Sequence, residues 1–220
     1  MPEQIKELID KNHKWAEAKK AKDPDYFKNI AKKPQKPKFI WIGCSDSRLP
    51  PEIITQSNLG EIFVIRNIAN QFHTTDLSVL SIFEYAINHL HVKQIVVCGH
   101  YMCGGVKASI TNNDDSVVDH WLQDLNEIYL SNKFQLDDKP SKERENLLSE
   151  LNVKKQVRNI AATNIVKKAW DNGVNIVIHG LIYDLETGLI KDLNTFVRSC
   201  PMSKRPHVQE CPQHIQASKT

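Results

Sequence analysis

The stretch Gln94–Gly105, QIVVCGHYMCGG, sets the fold class. Its first part, Ile95-Val96-Val97-Cys98, is a short apolar run stopped by Gly99, which predicts a buried strand. Its second part places His100 and Cys103 three residues apart just after that strand. Gly104 and Gly105 let the backbone pass close to whatever those two side chains hold. The run Phe39-Ile40-Trp41-Ile42, stopped by Gly43, has the same form and delivers Cys44-Ser45-Asp46-Ser47-Arg48. Ile62-Phe63-Val64-Ile65 is a third run, and Ile176-Val177-Ile178, ending at Gly180, a fourth. Between the runs at 62–65 and 95–98, Asp76 opens a helical pattern through Leu77, Leu80, Phe83, Ile87 and Leu90. Strand, helix, strand at this length is the crossover unit of a parallel sheet.

Outward from this centre, residues 2–20 read as an amphipathic helix, with Ile5, Leu8, Ile9 and Trp15 near helical spacing. Asp23-Pro24 restarts a short helix, and Ala31–Lys38 is a proline-punctuated loop. Residues 117–131 and 143–171 are helical in pattern. Ile182–Leu185 and Leu189–Leu193, joined through Glu186-Thr187-Gly188, predict a hairpin. Beyond about Asn194 the periodicity fades. The expected architecture is α/β: a mainly parallel central sheet with flanking helices, an N-terminal helical arm (1–36), one domain (37–195) with an antiparallel C-terminal edge, and a tail (196–220).

Composition narrows the function classes. The chain has 220 residues, 40% hydrophobic and 25% charged, as in an ordinary globular protein. A net charge of +3, with lysines scattered along the chain, argues against nucleic acid as the main partner. No apolar run approaches the roughly 18 residues that span a bilayer. The opening MPEQIKELIDKNHKW lacks the apolar core of a secretory signal, so the expected location is cytoplasmic. Five cysteines, an odd number, are expected as thiols or metal ligands rather than a disulfide framework.

In a doubly wound sheet, ligands gather at the carboxyl ends of the strands. Cys44, His100 and Cys103 are delivered there, and two thiolates with one imidazole form a catalytic zinc set that leaves a fourth position open. Soft sulfur donors favour zinc over magnesium or calcium. Cys98, inside an apolar run, is expected to pack as a small hydrophobe. Cys200, His207, Cys211 and His214 in the tail are a minor candidate for a second metal, at wide and irregular spacing.

CSDSR at 44–48 and CGHYMCGG at 98–105 resemble the paired signatures of β-class carbonic anhydrases, and the resemblance runs from about residue 5 to 195 through IFVIRNIAN at 62–70. It implies one zinc per chain, reversible hydration of carbon dioxide to bicarbonate and a proton, and a homodimer or homotetramer with N-terminal helices wrapped over a partner. In such a site Asp46 would accept a hydrogen bond from the nucleophile and Arg48 would hold Asp46 through a bidentate pair. Gln35 matches the family glutamine that donates to a substrate oxygen, across the dimer interface. Asp46 could instead ligate the metal and abolish activity. One subgroup of the family resembles this design and carries a regulatory bicarbonate site, whose positions match Trp41, Gly43, Arg66 and Tyr183. With two thiolates on the zinc, activity should favour alkaline pH, and low pH or bicarbonate should favour the inactive state. Rival readings are carbon disulfide or carbonyl sulfide hydrolysis on the same scaffold, and a non-catalytic zinc protein that senses bicarbonate.

Overall fold

Hydrophobic runs bounded by turn residues become five strands in a computed structural model of the chain, which describes residues 1–111 and 115–199. The strands are β1 (Phe39–Cys44), β2 (Ile62–Asn67), β3 (Gln94–His100), β4 (Val177–Asp184) and β5 (Leu189–Arg198). They form one sheet in the order β2-β1-β3-β4-β5. The first four are mutually parallel and β5 is antiparallel to β4. The expected α/β architecture with an antiparallel edge is therefore the one observed.

The helices are α1 (Glu3–Lys22), α2 (Tyr26–Lys32), α3 (Pro51–Ile54), α4 (Leu77–Glu84), α5 (Gly104–Thr111), α6 (Val117–Trp121), α7 (Gln123–Ser131), α8 (Lys133–Asp137), α9 (Ser141–Ala161) and α10 (Asn164–Asp171). Asp76 caps α4 by accepting from the Ser78 and Val79 amides, so the crossover begins where the sequence predicts. The chain divides into two units, Met1–Gln35 and Lys36–Thr220. In the first, α1 buries no residue, and Trp15 meets Phe27 of α2 edge-on at 5.4 Å. No helix among the described residues is long and apolar enough to cross a membrane.

In the second unit the two faces of the sheet differ. Ile40, Ile42, Ile95, Val97, Ile178 and Ile182 alternate onto one face and pack with Phe83 of α4 and Val153, Val157 and Ile160 of α9. Complete burial of each such side chain contributes about 1.5–3 kcal/mol. Trp41, Val96 and Cys98 point to the other face and form a smaller cluster with Leu181 and Tyr183.

Several boundaries differ from the sequence reading. The glycines do not stop the strands. Gly43 and Gly99 are ladder residues, and Cys44 and His100 are the last residues of β1 and β3. Gly99 is small because α9 crosses there: a Cβ would lie 2.7 Å from Val153 Cγ2. Gly180 does not end a strand either, since β4 runs through it to Asp184, with a register shift against β5 between Gly180 and Leu181. The segment 117–131 breaks at Leu122 into α6 and α7. The segment 143–171 breaks at Ala162-Thr163, where Thr163 Oγ1 accepts from the Val166 amide and starts α10. β5 runs to Arg198, beyond the point where periodicity fades. Cys200, His207, Cys211 and His214 lie outside the described residues.

Candidate metal centre

Parallel pairing aligns the carboxyl ends of β1 and β3, with Gly43 opposite Cys98. Cys44 and His100 therefore leave the sheet side by side, and the turn after β3 brings Cys103 back toward them. The ligand atoms of Cys44, His100 and Cys103 all lie within 4.8 Å of one another, and all three residues are buried. Among the described residues it is the only such group. The two sulfurs are 3.9 Å apart.

His100 Nδ1 donates to the Tyr101 carbonyl at 2.9 Å, which leaves Nε2 as the lone-pair nitrogen. That Nε2 is buried and has no hydrogen-bond partner among the described residues. A buried, unpartnered imidazole nitrogen facing two thiol sulfurs is costly unless a further group bonds to all three. The donor set fits a soft, tetrahedral cation with one coordination position to spare.

The thiols favour an ionised ligand. A hydrogen bond with Cys103, opposed by burial and aided by the Asp46 and Ala69 backbone amides, pulls the Cys44 thiol below its ordinary value. The same bond, together with burial, pushes the Cys103 thiol up.

Next to the centre, Asp46 and Arg48 form a bidentate pair. Arg48 Nε and its backbone amide donate to Asp46 Oδ1 at 2.9 and 3.0 Å, and Arg48 Nη2 donates to Oδ2 at 2.7 Å. This pairing holds the Asp46 carboxyl well below the usual carboxylate range. Oδ1 has two donors and Oδ2 one, so Oδ2 keeps a lone pair for another group.

A profile of the family described as carbonic anhydrase matches residues 39–190, which contain the whole three-ligand group. The chain belongs to the carbonic anhydrase family. A carbonic anhydrase of Emericella nidulans is 42% identical over 188 residues, covering 85% of this chain and 82% of the relative. A Coccomyxa β-carbonic anhydrase solved in complex with acetazolamide is 36% identical, with a TM-score of 0.85 over 89% of each chain. One of two β-carbonic anhydrases of Sordaria macrospora, described as tetrameric, is 33% identical, with a TM-score of 0.84 over 89% of this chain and all of the other. These matches place this carbonic anhydrase in the β class, and it is an enzyme.

The other expected site residues of this carbonic anhydrase are placed as follows. Trp41, Gly43 and Tyr183 line one small cavity of about 10 Å³, together with Cys98 and Leu49. The indole lies against Gly43, where a Cβ would come within 2.7 Å of Trp41 Nε1. Arg66 neighbours Gly43 in the ladder but does not line that cavity. Its Nε and Nη2 donate to the Cys44 and Asp46 carbonyls at 2.9 and 2.5 Å, so it fastens the loop that carries Asp46. Gln35 is exposed in the extended segment after α2, at the end of the first unit.

Sequence reasoning missed the turn after β2. Ala69 and Asn70 there have φ of +61° and +46°. The left-handed region costs a residue with a Cβ about 1–2 kcal/mol. The signal was the spacing of Asn152, Gln156 and Asn159 on α9: polar residues at helical intervals beside the buried Leu148, Val153 and Val157.

Cys98 is buried and is not part of the ligand group, as expected. Burial pushes its thiol up to about 12. The unfolded thiol ionises near about 8.5. The folded value is the higher, so the neutral thiol's contribution is fully present below the unfolded value and is lost as pH rises toward the folded one. Cys98→Ala should retain its metal and lose less melting temperature than the parent on going from neutral to strongly alkaline buffer. An equal alkaline loss in both proteins would show that Cys98 is not the source.

Proposed function

We propose that Cys44, His100 and Cys103 hold one zinc ion, and that this enzyme hydrates carbon dioxide reversibly to bicarbonate and a proton. The observation that carries the reading is the buried, unpartnered His100 Nε2 converging with two sulfurs. Zinc so held would supply an acidified water as nucleophile, less acidified than at an all-imidazole site because two thiolates already neutralise the cation.

The chain's own residues do the rest. Asp46, ionised at working pH, accepts a hydrogen bond at Oδ2 and orients the nucleophile toward the substrate carbon. Arg48 keeps that carboxylate off the metal. Gln35 of a second copy donates its amide to a substrate oxygen. Self-association, as a dimer or tetramer, is supported by the apolar stripe of α1, where Ile5, Leu8, Ile9 and Trp15 are all exposed. A cytoplasmic setting is supported by the free thiols of Cys44, Cys98 and Cys103.

The same centre carries a switch. Asp46 would leave Arg48 and join the ligands of a bound metal when bicarbonate occupies a second site made by Trp41, Gly43, Arg66 and Tyr183. A ligand shifts such an equilibrium only by binding one state more tightly. Two facts support this reading. Leu49 lines the Trp41–Tyr183 cavity and its amide bonds to the Asp46 carbonyl at 3.1 Å, so the cavity and the Asp46 loop are mechanically joined. The Trp41 indole N–H and the Tyr183 hydroxyl have no hydrogen-bond partner among the described residues. With Asp46 on Arg48 the cavity has room for about one water molecule, so bicarbonate must open it, as a ligand of the other state would. Stopped-flow hydration assays should find bicarbonate inhibition at neutral pH, weakened in Trp41→Phe and Tyr183→Phe, with high-pH activity kept. Unchanged inhibition in both variants would remove the regulatory site and leave the zinc assignment standing.

A further inference from the structure

The loop after β2 stands beside both thiol ligands. Ala69 shares a buried cluster with Cys44 and Cys103. The Asn67 carbonyl accepts the Ser45 amide at 2.9 Å, next to Cys44. On the Cys103 side, a Cβ on Gly105 would lie 3.1 Å from Ala69 Cβ, so the loop sits close against the start of α5. Two consecutive left-handed residues with side chains, Ala69 and Asn70, would relax to right-handed or extended backbone if released.

A chain of amides along α9 opposes that relaxation. Asn159 Nδ2 donates to Gln156 Oε1 at 3.0 Å, Gln156 Nε2 donates to Asn152 Oδ1 at 2.8 Å, and Asn152 Nδ2 donates to the Ala69 carbonyl at 2.8 Å. Gln156 Oε1 also accepts the Phe72 amide at 3.1 Å. Asn152 and Gln156 are each 1% exposed. Buried amides linked in one direction rigidify what they hold, because each has a single satisfied arrangement.

We propose that Asn152 and Gln156 are positioning residues for the metal centre: they clamp the Ala69 carbonyl and the Phe72 amide and so hold the left-handed Ala69–Asn70 step beside Cys44 and Cys103. The role rests on the metal centre proposed above. It puts the support of the loop beside the two sulfurs on a helix far from them in sequence, through the bond from Asn152 to the Ala69 carbonyl.

The test uses zinc-loaded protein and a chelating dye in excess, with zinc release followed in time. Asn152→Leu deletes the donor to Ala69. Gln156→Met keeps volume and helix propensity while deleting the next rung, and reads the clamp if Asn152→Leu does not accumulate. Both should release zinc about 10- to 100-fold faster than the parent, the range seen when outer partners of metal ligands are removed. The thiolate-to-metal band of the cobalt-substituted protein should shift in both. Val157→Ala, on the same helix but against the sheet, should lower melting temperature without changing release. Ala69→Gly, which tolerates positive φ, should slow release again when added to Asn152→Leu. Parental release rates in Asn152→Leu and Gln156→Met, or equally fast release in Val157→Ala, would overturn the role. Cys44→Ser separates the two ideas. If it keeps its zinc, the metal centre itself is wrong; if it loses zinc while the α9 variants do not, only the clamp is.

Discussion

His100→Ala and Cys44→Ser should each bring zinc content from one per chain to near zero, and carbon dioxide hydration down by about a thousandfold or more, worth about 4 kcal/mol of barrier. The reason lies in how little redundancy the centre has. Three protein atoms converge within 4.8 Å, and no fourth His, Cys, Asp or Glu joins them among the described residues. His100 cannot be replaced by a neighbour, because its ring is oriented by Nδ1 donating to the Tyr101 carbonyl, a bond that sets Nε2 as the lone-pair atom. Cys44→Ser retains the shape but replaces the thiolate favoured at this position by a hydroxyl that does not ionise there. Metal analysis and stopped-flow hydration on folded protein, with circular dichroism as the folding check, decide the matter. Full zinc occupancy in either variant would refute the ligand assignment.

Asp46→Asn should keep its zinc and lose activity by about two to four orders of magnitude, the range for a positioned group that handles a proton in the transition state. The amide preserves volume but presents an N–H where an acceptor is required, and it cannot hold both Arg48 nitrogens as the carboxylate does. Arg48→Ala should also lose activity, by a different route. Freed from its partner, the Asp46 carboxylate turns to the metal, so this variant should release zinc more slowly than Asp46→Asn does. Combining the two substitutions should cost no more activity than Asp46→Asn alone, since both act through one carboxylate. Additive losses would mean that Arg48 acts on substrate directly. Parental activity in Asp46→Asn would remove Asp46 from the mechanism.

Legibility followed the range of the interactions. The strands were legible because an apolar run of four residues needs only its own neighbours to declare itself. Their ends were not. Gly43, Gly99 and Gly180 look like terminators along the chain, yet each is required by something that crosses it: the Trp41 indole at Gly43, and Val153 of α9 at both Gly99 and Gly180. The helical pattern from 143 to 171 concealed the break at Ala162-Thr163, where a single side-chain cap outweighs continuous periodicity. What Arg66 touches is likewise not legible along the chain. Its observed bonds run to two carbonyls of a loop some twenty residues earlier, a pairing that only the β1–β2 register creates.

By itself the sequence determined the α/β class, the crossover joining β2 to β3, and the choice of Cys44, His100 and Cys103 as a candidate ligand group, because each depends on residue type and local spacing. Cys44 and His100 follow from directly succeeding the glycines that close two apolar runs, and Cys103 from its three-residue offset. Tertiary structure alone decided the distance between the sulfurs, the placing of Cys98 in the cluster with Trp41 and Val96 rather than with Cys44 and Cys103, and the bond that ties the α9 amides to Ala69. The sulfur pair and the bond to Ala69 join atoms more than fifty residues apart, Cys44 with Cys103 and Ala69 with Asn152. A hydrogen bond is decided by a few tenths of an ångström and an angle, and local spacing along the chain specifies neither across such gaps.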